Sequence, residues 1–178
     1  SSIGHQHVLA PELRNADAAR AVAFRLLLKA AARLRHYRCA ARTLTLVVGF
    51  KSDSPSADIW KGPSWTAAAD LGEGCTDTPT MYDALNALWP KAPSGSPVFV
   101  GVTLHNLVRP GCRTLPLFRE EARRASLSVA MDAVNSLYGA NSFYTANMHG
   151  ARGAGSGGIA FTYIPDLSVT DSVGGRMR

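Results

Sequence analysis

The stretch "ARTLTLVVGF", residues 41–50, decides the fold. Leu44, Leu46 and Val48 alternate with Thr43, Thr45 and Val47, and the β-branched content adds strand propensity. Successive side chains of a strand point to opposite sides, so this one has an apolar face and a largely polar face. A sheet built around it has one face to cover and one to leave open.

Upstream, Ala19, Val22, Leu26, Ala30 and Leu34 recur every three or four residues, which predicts a helix over residues 16–36 with Asn15 or Asp17 as its cap. Its opposite side carries Arg25, Lys29 and Arg33 at i, i+4 steps. That stripe either grips phosphates or stands in water, and water is the simpler reading. Residues 2–9 alternate loosely around Ile3, Val8 and Leu9 and read as a short strand stopped by Pro11.

Downstream of the turn-rich "KSDSPSAD", residues 59–69 form a strand pattern interrupted by Gly62 and Pro63, as on a sheet edge. "CTDTPTMYDALNALWP" predicts a helix with Thr78 as cap, Pro79 at the first helical position, and Met81, Ala84, Leu85 and Leu88 on one side. Residues 98–107, "VFVGVTLHNL", supply a fourth strand.

The order βαββαβ implies an α+β fold: a four-stranded antiparallel sheet with both helices on one face. Its other face must be polar or bind something. Residues 1–110 make this unit. Residues 111–178 add a loop, a helix from about Glu120 to Tyr138 with Leu127, Ala130, Met131, Val134 and Leu137 on one side, a strand-like "SFYTA", and a glycine-rich, flexible tail.

With 178 residues, 46% hydrophobic and 18% charged, the chain can bury one good core. No apolar run approaches the roughly 20 residues of a membrane-spanning helix. Cys39, Cys75 and Cys112 are far apart and form no C-x-x-C, which fits reduced thiols and a cytoplasmic location. The net charge of +6 suggests a polyanionic partner, although a solvated basic helix face explains it equally well.

Six segments, in order, carry a resemblance: "SSIGHQHVL", "RTLTLVV", "VGVTLHNL", "LPLF", "MDAVNSLYG" and "GGIAFTYIPD". Together they resemble the little finger of bacterial Y-family DNA polymerases, the C-terminal domain that follows palm, fingers and thumb. The likeness is nearest to the mutagenic SOS-type members and covers nearly the whole chain. It implies a piece of a longer DNA repair polymerase, a nucleotidyltransferase for translesion synthesis past damaged DNA. In that setting this part is non-catalytic and holds primer-template duplex DNA by its phosphate backbone, and the parent uses Mg²⁺.

By position, the resemblance implies DNA contacts from Ser2 and His5, from Arg42, Thr43 and Thr45, from Lys61, Ser64 and Thr66, and from Thr103 and His105. His5 stands where the family often has Arg. Short polar side chains and strand N–H groups suit phosphate contacts that do not read sequence. "TLPLF" resembles the family's sliding-clamp peptide and implies clamp binding by Thr114, Leu115, Leu117 and Phe118. Thr114 replaces the usual Gln. Leu117 and Phe118 could instead staple the following helix to the domain.

The sequence signposts no catalytic residue and no metal site of its own. Two-metal phosphoryl transfer needs carboxylates clustered around ions about 3.5–4 Å apart, and the 13 acids here are scattered. His5 and His7 share a strand face without a third ligand. Cys75 or Cys112 with His105 lacks the flanking sequence of a nucleophile site. Residues 153–158 match G-x-G-x-x-G, yet too few residues follow to complete a βαβ unit.

Overall fold

Asn15 opens the longest helix. Its Oδ1 accepts a hydrogen bond from the Ala18 N–H at 2.9 Å, so Asn15 and not Asp17 is the cap. Asp17 lies in the first turn and Arg33, Arg35 and His36 in the last, the arrangement that complements the helix dipole. In the computed structural model, which describes residues 1–52, 62–109, 119–139 and 142–146, this helix is α1 (Ala16–His36).

Around α1 stand β1 (Ser2–Val8), β2 (Ala41–Phe50), β3 (Ser64–Cys75), α2 (Thr78–Leu88), β4 (Pro97–His105) and α3 (Arg119–Tyr138). The sheet order is β1-β4-β2-β3, with every neighbouring pair antiparallel. Helix α1 crosses β1 and β4, while α2 packs against β3 and β2. The expected α+β arrangement, helices on one face and a third helix after the sheet, is the one observed.

The core lies between sheet and helices. Leu44, Leu46 and Val48 from β2 and Val100, Val102 and Leu104 from β4 meet Phe24, Leu27 and Leu34 of α1 and Met81 and Leu85 of α2, all at most 1% exposed. Each such side chain contributes about 1.5–3 kcal/mol by leaving water. The Phe24 and Tyr82 rings meet edge to face at 5.0 Å and join the two helices.

Three local expectations change. Strand β3 starts at Ser64, after Gly62 and Pro63, and runs six residues past Ala69; residues 59–61 of the expected strand lie outside the described residues. Between the pairs Ala41↔Cys75 and Thr43↔Asp70, β2 advances two residues and β3 five. The surplus is absorbed where Gly72 (φ +75°) and Gly74 (φ +147°) adopt a backbone that other residues rarely take, which lets a strand survive what looks like a run of breakers.

The cap of α2 is Asp77, whose Oδ1 accepts from the Thr80 N–H at 2.8 Å. Thr78 is already helical, and its hydroxyl accepts instead from Arg35 Nη1 at 3.0 Å.

"SFYTA" is not a strand, because Asn135 captures the backbone of Phe143. Asn135 Nδ2 donates to the Phe143 carbonyl at 3.0 Å, and the Phe143 N–H donates to Asn135 Oδ1 at 2.9 Å.

Helix α3 is turned away from its apolar stripe. Of Leu127, Ala130, Met131, Val134 and Leu137, only Met131 is buried. Polar anchors set the rotation. Asp132 takes Arg35 in a two-pronged pair at 2.6 and 2.7 Å, and the Ser128 hydroxyl accepts from the Thr78 N–H at 2.9 Å. Arg35 also donates to the Thr76 carbonyl at 2.8 Å, so one guanidinium joins α1, the β3–α2 connection and α3.

Candidate nucleic-acid interface

The strand registers fix the sheet face that no described helix covers. Leu44, Leu46 and Val48 point at the helices, so Thr43, Thr45, Val47 and Gly49 point away. Their cross-strand partners complete four rows. Ser2, His105, Thr43 and Asp70 form the first, and Gly4, Thr103, Thr45 and Ala68 the second. Gln6, Gly101, Val47 and Thr66 form the third, and Val8, Phe99, Gly49 and Ser64 the last.

Glycine keeps two of these rows shallow. A Cβ on Gly4 would lie 2.6 Å from the Thr103 hydroxyl, and one on Gly49 would run into the Phe99 ring, which crosses above it. The hydroxyl of Thr43 accepts from Asn106 Nδ2 at 3.1 Å. Small side chains over a regular backbone form a surface that a phosphate chain can approach closely, with hydroxyls as donors.

Seven of the ten expected contact residues share this face: Ser2, Thr43, Thr45, Ser64, Thr66, Thr103 and His105. Arg42 sits at the β2 irregularity, where its guanidinium meets Glu73 at 3.4 Å and donates to the Glu73 carbonyl at 3.2 Å. Lys61 lies outside the described residues, as do Thr114, Leu115, Leu117 and Phe118.

His5 does not join the group. It pairs with Val102 and points under α1, 9% exposed, with Nε2 lacking a hydrogen-bond partner among the described residues. Burial pushes its pKa down to about 4, helped by the positive charges of Arg33 and then Lys29. His7, on the same side, is lowered by burial and by Arg25 and Lys29. The basic stripe of α1 therefore runs along the histidine side of β1, with Arg25, Lys29 and Arg33 themselves partly buried.

The sequence held a signal against His5. Ser2 and His5 are three residues apart, and an odd separation along a regular strand puts two side chains on opposite faces. By the same parity Gln6 belongs with Ser2, a face position that sequence reading missed. Two exposed cations were missed as well: Lys51 and Arg109 stand just beyond the ends of β2 and β4, at opposite ends of the sheet.

The face is thus largely polar and nearly uncharged. None of its sixteen positions is Arg or Lys, and its one carboxylate is Asp70. Among the described residues no three His, Cys, Asp or Glu side chains converge as metal ligands, so they do not fit the Mg²⁺ pair of a polymerase. Buried Cys75 donates to Asp77 Oδ2 at 3.3 Å, on the side of the sheet away from His105.

Residues 1–117 match the model of the impB/mucB/samB family C-terminal domain. The chain belongs to that family. As an impB/mucB/samB C-terminal domain it supports, at the level of the family, the resemblance to Y-family polymerases carried by its sequence. Comparison with the curated proteins returns no match.

Among solved structures, the domain is similar to a chain of the "Insertion ternary complex of Dbh DNA polymerase", at 12% identity and a TM-score of 0.46. That likeness covers 61% of this chain and 29% of the other, so the chain spans less than a third of the Dbh chain. It is also similar to a chain of the "Complex of beta-clamp processivity factor and little finger domain of PolIV", at 15% identity and a TM-score of 0.46, covering 66% of this chain and 98% of the other. No helix among the described residues is long and apolar enough to cross a membrane.

Proposed function

We propose that this impB/mucB/samB domain is the duplex-holding, non-catalytic part of a translesion DNA polymerase of the SOS mutagenesis type, with phosphoryl transfer and Mg²⁺ binding left to the parent's palm. The observation that carries the reading is the uncovered sheet face, where seven short polar or imidazole side chains and three glycines line up in register. Such a face holds a phosphate backbone through hydroxyl and N–H donors and leaves base identity unread. Lys51 and Arg109, at the two ends of the sheet, supply cations that the face lacks.

The test is fluorescence anisotropy with labelled primer-template duplex at several salt concentrations. Duplex binding whose log affinity falls with log salt by about 0.9 per neutralised phosphate is expected, with a weak Kd on the order of 10⁻⁴ to 10⁻⁶ M. A Thr45→Glu/Thr103→Glu variant, which puts two negative charges in the middle of the face, should lose at least about tenfold in affinity; unchanged binding rejects this face as the contact. Absence of binding at low salt shifts the reading to a protein-interaction module that recruits its parent to the sliding clamp through Thr114, Leu115, Leu117 and Phe118.

A further inference from the structure

The polar anchors that fix α3 leave an apolar surface behind. Leu127, Val134, Leu137 and Tyr138 follow one another along its outer side, exposed by 50, 37, 75 and 71%. Phe143, 47% exposed, is held beside them by its two hydrogen bonds to Asn135. Single exposed apolar residues are ordinary, but five gathered along the C-terminal half of α3 and the turn after it form an interaction surface.

The rest of the chain supplies an occupant. The described chain ends at Ala146, three residues past Phe143. Beyond it, residues 147–178 contain one strongly apolar run, "IAFTYI" at 159–164, and glycine supplies five of the nine residues from 150 to 158 that precede it.

Distance permits the return. Ile159 lies thirteen positions past Ala146, and a glycine-rich segment of that length has a root-mean-square reach of about 20 Å. Seven residues of helix separate Leu127 from Val134, about 10 Å. Length also matches: an extended segment of five residues spans about 13 Å from first to last, close to the roughly 15 Å of helix from Leu127 to Leu137.

We propose that Ile159, Phe161 and Tyr163 pack back onto the Leu127, Val134 and Leu137 face of α3. Tethering favours this occupant over a second copy of the chain. The stripe from residue 127 to 138 covers fewer than two heptads, short of the three or four that a coiled coil needs. A stable dimer interface also needs about 800 Å² from each partner. A segment on a short tether meets the helix at an effective concentration in the mM range, so a contact of mM strength is enough to keep it seated.

The test uses the full 178-residue chain with Cys39 and Cys112 replaced by serine and an environment-sensitive fluorophore on Ala130→Cys, an exposed position between Leu127 and Val134. Cys75 is buried and stays unlabelled. The label should emit at short wavelength, as in an apolar setting, and shift to long wavelength when Phe161→Asp is added. Circular dichroism of both proteins should coincide, because Ala130 is exposed and the two proteins differ only at residue 161, outside the described residues. Identical long-wavelength emission in both proteins overturns the proposal. So does a short-wavelength emission that disappears on hundredfold dilution, which makes the occupant a second copy.

Discussion

Helices α1 and α3 are nearly equal in length, 21 and 20 residues, and both recur in apolar residues at helical spacing. Yet α1 buries eleven residues and α3 buries Ser128 and Met131. The difference lies in what each helix meets. The inner face of the sheet accepts α1 along β1 and β4, and apolar residues on several of its sides find partners. Helix α3 meets the end of α2 and the tip of α1, where the available partners are polar: Arg35, the Thr78 N–H and Asp83. Where partners are polar, hydrogen bonds choose the face, and the apolar stripe turns outward.

Three perturbations break or sharpen this contrast. The largest effect should come from Leu27→Ala in α1, which removes a fully buried side chain between helix and sheet. A loss of about 2–5 kcal/mol is expected, read by urea denaturation as a lower midpoint with an unchanged slope. A loss within about 0.5 kcal/mol would make α1 as peripheral as α3.

Next comes Asp132→Ala, which leaves Arg35, 10% exposed, without its carboxylate. The cost is up to about 3 kcal/mol, below that of a fully buried pair because Asp132 is 29% exposed. Hydrogen exchange should show α3 amides losing protection while the β2 and β4 amides keep theirs. Equal loss in both places would mean that α3 belongs to the same cooperative unit as α1.

The smallest effect is read in pH. His5 lies under α1 with its pKa lowered from 6.5 to about 4, so the unfolded chain binds its proton at higher pH than the folded one. Its contribution is fully present above about pH 6.5, is lost as pH falls from there to about 4, and changes no further below. About 1–2 kcal/mol is expected, discounted for partial solvent screening. His7 acts in the same direction. Urea midpoints at pH 7 and pH 4.5 should differ less in His5→Leu than in the natural chain; an equal difference places the pH response elsewhere.

Most of the sheet and its two helices was legible in the sequence because period and burial coincide there. In β2 the alternation of Leu and Thr names both faces at once, and in α1 the spacing of Leu and Ala names its inner side. Legibility failed where a distant polar partner decided the outcome. Nothing around Ser128 or Asp132 shows that Thr78 and Arg35 will stand opposite them, 50 and 97 residues away. The extension of β3 was hidden because Gly72 and Gly74 resemble a turn and instead form an irregularity inside a strand. In the candidate interface, Thr43, Thr45, Thr103 and His105 follow directly from strand parity, and the same parity, applied to Ser2 and His5, separates them.

The pairing of β1 with β4 also sets a schedule for assembly. Ser2 faces His105 across that pair, 103 residues later in the chain (105 − 2), and everything else in the sheet lies between them. Closing so long a loop comes before any of the pair's own contacts can repay it, which slows folding. During synthesis β1, the first strand of this sheet to emerge, is the last to find its neighbour. Until β4 follows it, His5 and His7 have no sheet to sit on, and α1 has only part of a floor.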